Sequence, residues 1–124
     1  MPALPEALSQ GWDAMKGPLV FATVNAEGVP NAIYASCVKK FSDDKLVIAD
    51  NFFDKTRANI TAGGRGSILF MTADGKAFQV KGTVERLTEG EIFDDMKSWN
   101  GERPGHAVAV LSVEEAYSGA EKLL

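Results

Sequence analysis

Two alternating apolar runs, SILFMTA and AFQVKGTVERL, flank the pair Asp74-Gly75, and no other feature of the sequence restricts its folding as strongly. Side chains that alternate in polarity suit a half-buried strand, and Asp-Gly between two such runs is the strongest short-range hairpin signal present. The same punctuation recurs on either side. Upstream stand LVFATV, a turn at Asn25-Ala26-Glu27-Gly28, the long run VPNAIYASCVKKF, a second turn at Ser42-Asp43-Asp44-Lys45, and LVIAD; downstream stands HAVAVLSV. These runs predict six strands.

Three segments break the period. Leu4, Leu8, Trp12 and Met15 recur at spacings of four and three, which predicts a helix over 4–16 with Pro5 in its first turn and Gly17-Pro18 as its stop. Residues 53–64 predict a second short helix, with Asp54 as its cap and Gly63-Gly64 ending it. A third opens at Thr88-Glu89-Gly90-Glu91, carries Ile92, Met96 and Trp99, and ends at Asn100-Gly101 and Pro104. The final EEAYSGAEKLL reads as a tail too short to be a unit of its own. Six strands with short helices at the margins predict a mainly β fold, a closed or nearly closed antiparallel barrel, because closure removes edges that invite aggregation.

A chain of 124 residues with 45% apolar and 24% charged residues fits one domain over 1–124. No apolar run approaches the ~20 residues that span a bilayer, and MPALPEALSQGWDAMKG is not a basic region followed by an apolar one, so a cytoplasmic protein is expected. The lone Cys37 has no disulfide partner, and no cluster of Cys and His offers a zinc site. Net charge is −4 with cations scattered among acids, which argues against nucleic acid or an anionic membrane surface as partner. A bound anion would have to be met by a local pocket.

One segment points to such a pocket. In Asp50-Asn51-Phe52-Phe53-Asp54-Lys55-Thr56-Arg57-Ala58-Asn59 a strand ends and a helix begins, and Lys55 and Arg57 fall in the first helical turn, where cations are mildly disfavoured by ~0.3–1 kcal/mol each. An anion at that helix start would reverse the sign, with backbone N–H groups, the Thr56 hydroxyl and the Lys55 ammonium converging on it. Alternatively Asp54 caps the helix, Lys55 and Arg57 point into water, and Asp50 and Asp54 neutralise them. The segment by itself is compatible with either arrangement.

The run PNAIYASCVKKFSDDKLVIADNFFDKTRANI, residues 30–60, resembles the core of the pyridoxamine 5'-phosphate oxidase-like, FMN-binding split-barrel family, in particular its small FMN-binding proteins. The likeness lies in Asn31 to Ser36, in LVIADN, and in Lys55-Thr56 followed by Asn59; FQVKGTVERL and AVAVLSVEEAYSG resemble a later hairpin strand and the closing strand with its tail. The resemblance implies a six-stranded antiparallel split β-barrel of Greek-key type. It also implies FMN as cofactor, with its phosphate on Lys55 and Thr56. Ala49, Asp50, Asn51 and Phe52 would run beside the ribityl chain and ring, largely through backbone groups, and Asn31, Ile33, Tyr34, Ala35 and Ser36 belong to the strand against the isoalloxazine. Tyr34 stands where the small relatives have Trp, and Ala32 and Ala35 replace polar residues, which leaves that strand's side-chain hydrogen bonds open.

Alternation puts Asn31, Ile33, Ala35 and Cys37 on one face and Ala32, Tyr34, Ser36 and Val38 on the other, without showing which face meets a ligand. Gln79 either points outward or reaches the ring across a subunit boundary. Cys37 reads as an inert thiol, His106 as solvated, Trp12 and Trp99 as packing residues, and GGRG at 63–66 follows a helix, the reverse of a phosphate-cradling loop. A barrel this small is filled by its own side chains, so a flavin would lie outside it, and the simplest second wall is a second copy. The expected function is that of an FMN-binding flavoprotein in electron transfer, held as a homodimer. An FMN-dependent reductase or oxidase acting on a small substrate, or a barrel for a deazaflavin or haem, are the alternatives.

Overall fold

The computed structural model describes residues 3–124. Its centre is a curled antiparallel sheet with three short helices, α1 (Glu6–Asp13), α2 (Lys55–Thr61) and α3 (Glu91–Trp99). The strands are β1 (Leu19–Val24), β2 (Pro30–Ala35), β3 (Val38–Ser42), β4 (Lys45–Asp50), β5 (Arg65–Met71), β6 (Ala77–Leu87), β7 (Ala107–Ser118) and β8 (Glu121–Lys122). They lie in the order β2-β1-β5-β6-β7-β4-β3, with β8 added to β7. No helix among the described residues is long and apolar enough to cross a membrane.

The Asp74-Gly75 hairpin forms as expected, in register from Arg65 opposite Thr83 to Met71 opposite Ala77. Gly75 sits at φ 85°, a conformation a side chain at that position would resist. The expected count of six strands is corrected to eight, for two reasons. The long run over 29–41 is broken at Ser36-Cys37 into β2 and β3, which occupy opposite ends of the sheet order. Ile33 and Ala35 pack on the main core, Cys37 on a second core, and Val38 on the main core again, so the alternation changes phase and Cys37 does not share the face of Ile33. Two intervening residues span at most about 11 Å, so the sheet must curl until its two edges nearly meet.

The second reason is the tail, which is not separate: it extends β7 and then turns back as β8, with Lys122 opposite Tyr117 and Glu121 opposite Ser118. Residues 114–118 continue β7 because β6 is eleven residues long and pairs with them from Lys81 opposite Glu115 to Phe78 opposite Ser118. A bulge at Lys81-Gly82 makes the continuation possible. A Cβ on Gly82 would come within 1.9 Å of the Ser112 carbonyl oxygen, so only glycine fits there.

Two cores result. The main one fills the concave side, where Leu8 and Trp12 of α1 close over Phe70 and Phe78; Trp12 meets Phe70 edge-on at 5.4 Å. The second lies on the outside of β4 and β7, where Val47, Ala49, Val108 and Val110 are covered by Met96 of α3. This explains why LVIA and AVAVLSV are continuous apolar runs: both strands are buried on both faces.

Candidate functional site

α2 is seated by its buried face. Thr56, Asn59 and Ile60 stand at helical spacing and point inward; Asn31 Nδ2 donates to Thr56 Oγ1 at 3.1 Å, and Asn59 Nδ2 donates to Thr23 Oγ1 at 3.0 Å. The motif Lys-Thr-x-x-Asn is therefore divided. Thr56, only 1% exposed, and Asn59 anchor the helix to β2 and β1, while Lys55 faces solvent with no ion-pair partner among the described residues. The expected Asp54 cap is absent. Asp54 sits at φ −131°, ψ −83°, and its carboxylate accepts no bond from the helix. Among the described residues none accepts from the main-chain N–H of Lys55, Thr56 or Arg57. Thr56 Oγ1 accepts from Asn31, and its hydroxyl proton is free to be donated.

The neighbouring acid is engaged elsewhere. Asp50, fully buried, accepts from Arg57 Nε at 3.2 Å and Nη2 at 3.3 Å, from Arg86 Nε at 2.9 Å, and from the Phe53 N–H at 3.1 Å. Neutralisation by Asp50 thus happens for Arg57 and not for Lys55. The Asn51 side chain is also occupied: its Oδ1 accepts from Asn100 Nδ2 at 2.7 Å and from the Gly105 N–H at 2.9 Å. These bonds lock the end of β4 to the start of α2 and to the loop after α3.

Beside this junction lies an open cleft of about 340 Å³. The β2–β3 bend supplies Ile33, Tyr34, Ala35, Ser36 and Cys37; the β4–α2 junction supplies Ala49, Asn51, Phe52 and Phe53; Arg103 closes one side. Both faces of the 30–38 run contribute, because the phase change occurs at the cleft. Tyr34 is 78% and Phe52 82% exposed, two aromatic rings left in water at the rim. Of the residues singled out from sequence, Asp50 lies beneath the wall instead of lining it, Lys55, Thr56 and Asn31 lie at the α2 start, and Gln79 is remote. Gln79 stands opposite Leu69 and Tyr117 and lines a separate depression of about 380 Å³ with Lys81 and Glu115.

Arg103 was not identifiable from sequence, since nothing in its spacing ties the loop after α3 to β2. Arg86, which holds Asp50, was hidden among the alternating polar positions of a strand. The carboxyls held below their ordinary range lie away from the cleft. The Ser42 hydroxyl does this to Asp44, the Thr72 hydroxyl to Asp74, and the Tyr117 hydroxyl to Glu115, the last bond pushing Tyr117 up.

A sequence profile of the pyridoxamine 5'-phosphate oxidase family matches residues 14–122. The chain belongs to that family. An uncharacterised protein of Methanocaldococcus jannaschii is 33% identical over 83 residues, which make up 64% of this chain and 56% of that protein, so the match spans little more than half of that relative. Among solved structures, HupZ of Group A Streptococcus shares 26% identity over 89% of this chain and 91% of its own, with a TM-score of 0.80. An FMN-binding protein of Syntrophomonas wolfei shares the fold at TM-score 0.74 and 23% identity, over 88% and 81% of the two chains. So do HutZ, the haem storage protein of Vibrio cholerae, at TM-score 0.71, 17% identity, 94% and 95% coverage, and an F420 reductase at TM-score 0.70, 16% identity, 92% and 98% coverage. The curled sheet closed by one bent strand run is therefore the split-barrel architecture of the pyridoxamine 5'-phosphate oxidase family.

Proposed function

We propose that this chain is an FMN-binding flavoprotein, a single-domain cytoplasmic homodimer with an electron-transfer role. The observation that carries the proposal is the start of α2, where three main-chain N–H groups and Lys55, none with a partner among the described residues, stand together with the Thr56 hydroxyl. FMN has a phosphate at one end and a flat, largely apolar ring at the other, and the residues present fit both ends. Lys55 and Thr56 would hold the phosphate, and the cleft between Ile33, Tyr34, Ala35, Ser36 and Ala49, Asn51, Phe52 would receive the ring. Asp50 acts through its neighbours, by keeping Arg57 and Arg86 in place. The bound flavin would supply the redox chemistry, and the chain its position and surroundings.

Two features support a homodimer. An open cleft does not bury most of a ligand of this size, as a stable complex requires, and Tyr34 and Phe52 at its rim lack a cover. In such a homodimer Gln79, which lines a different depression of its own chain, would reach the flavin from the second copy. Electron transfer is favoured over turnover because the cleft's polar side chains, Tyr34, Ser36, Cys37, Asn51 and Arg103, include no carboxylate or histidine for acid–base work. An FMN-dependent reductase or oxidase is the second reading, and a deazaflavin or haem the alternative cofactors, since F420 reductase and HutZ share the fold.

Titration with FMN and with riboflavin tests the proposal. One FMN should bind per chain, in a particle of twice 13.3 kDa by light scattering. Lys55→Ala should weaken FMN by roughly 1.5 kcal/mol, about tenfold in Kd, and leave riboflavin, which has no phosphate, unchanged. Equal losses for the two ligands would remove the phosphate role of Lys55, and failure to bind FMN would remove the proposal.

A further inference from the structure

A second depression adjoins the cleft. Ser36, Cys37 and Arg103 wall both, so the two are continuous across the β2–β3 bend; Val38, Lys39 and Trp99 complete the second, whose volume is about 510 Å³. That is within the roughly 300–1,000 Å³ of small-molecule sites.

Its charges are arranged unevenly. Lys39 Nζ donates to both oxygens of Asp95, at 3.2 and 3.0 Å, and Trp99 Nε1 donates to the same carboxylate at 3.2 Å. Lys39 is thereby neutralised and the indole held. Arg103 has no carboxylate partner among the described residues, and its neighbour Glu102 lines neither depression. The loop that carries Arg103 is fixed on both sides. Asn100 and Gly105 are bonded to Asn51, Lys97 Nζ donates to the Pro104 carbonyl at 3.0 Å, and the His106 N–H donates to the Asp50 carbonyl at 2.9 Å. A pinned backbone presenting an unpaired guanidinium beside a held indole suits an anion carried on a flat apolar body. The guanidinium forks onto the anion, and the ring packs against the indole.

We propose that this depression is a second ligand subsite, for a small aromatic carboxylate whose anion meets Arg103 and whose ring meets Trp99. Binding there needs no flavin. The role of the subsite as the seat of the flavin's reaction partner rests on the flavin reading above.

Benzoate and its neutral counterpart benzamide are the probes, with Trp99 fluorescence as the readout on the full chain before and after FMN loading. Benzoate should give a saturable change that is absent in Trp99→Phe, where only Trp12 remains. Arg103→Gln should weaken benzoate roughly fivefold, as for a solvent-accessible ion pair, Arg103→Lys should recover part of that, and benzamide should respond to neither substitution. Melting temperatures should not move, because Arg103 is at an exposed loop tip. In FMN-loaded protein, benzoate should also shift the flavin absorption band. No saturable change, a change that persists in Trp99→Phe, or equal effects of Arg103→Gln on benzoate and benzamide would each overturn the subsite. A Trp99 response with an unmoved band from bound FMN would overturn its link to the flavin, whereas a protein that takes no FMN yet passes the apo tests would sink only the flavin reading.

Discussion

β4 and β2 both run up to the cleft and are built on opposite terms. β4 has neighbours on both sides, β3 and β7, and no free face: Leu46 and Ile48 enter the main core, Val47 and Ala49 the second. β2 pairs only with β1 and alternates half-buried Asn31, Ile33 and Ala35 with exposed Pro30, Ala32 and Tyr34. The contrast shows how a small barrel can carry a site at all. One wall is set by packing and holds its geometry, while the other keeps a free face and a free edge on which chemistry can vary without loss of the fold.

The contrast can be broken most directly by truncation. Ile48→Ala should cost about 3 kcal/mol in urea unfolding, as expected for a large aliphatic removed from a packed core. A loss below about 1 kcal/mol would mean that β4 is not the fixed wall. Asp50→Asn comes next, at about 2 kcal/mol, because it leaves Arg57 and Arg86 facing a neutral group, partly relieved by their access to water. Little or no change on that substitution would show that the two arginines are held without the carboxylate. Tyr34→Ala on β2 should move stability by less than about 0.5 kcal/mol, since most of the ring is already in water. Its effect should appear in FMN affinity and in the dimer's dissociation constant, and a cooperative loss of fold would erase the difference between the strands.

The smallest effect concerns one proton at the turn into β4. The Ser42 hydroxyl donates to Asp44 at 2.8 Å and holds that carboxyl below its ordinary range. A carboxyl depressed in the folded state stabilises above the unfolded value, and that stabilisation is lost as the pH falls through the folded one. The gap in melting temperature between parent and Ser42→Ala should therefore be present at neutral pH and close below the carboxylate range. A gap that does not vary with pH would place the role of Ser42 elsewhere.

What the sequence made legible was whatever depends on near neighbours. The period of Leu8 and Trp12, the Asp74-Gly75 turn, and the Ile92, Met96 and Trp99 spacing each appear as an element where expected. The continuous runs of β4 and β7 already carried the sign of burial on two sides. What stayed hidden depends on partners distant in the chain. Nothing in VPNAIYASCVKKF marks a change of phase, because the bend at Ser36-Cys37 is imposed by the edges it joins. Asp54 has the composition of a cap, yet a backbone at ψ −83° turns it away. Lys55 and Arg57 look alike in sequence, and only Asp50, reached through the fold, separates the paired cation from the unpaired one.

The bend has one more consequence. β2 and β3 end the sheet order on opposite sides, so each keeps one row of main-chain donors and acceptors without a strand to answer it. A barrel zipped shut by hydrogen bonds has no such rows; this one is closed by a clasp of covalent chain, and the two unanswered rows remain on either side of it. The clasp also counts residues. Three steps separate Ala35 from Val38, an odd number, and the change of phase is what keeps Val38 on the main core and Cys37 and Phe41 on the second, so the length of this join governs both what the barrel contains and what its opening presents.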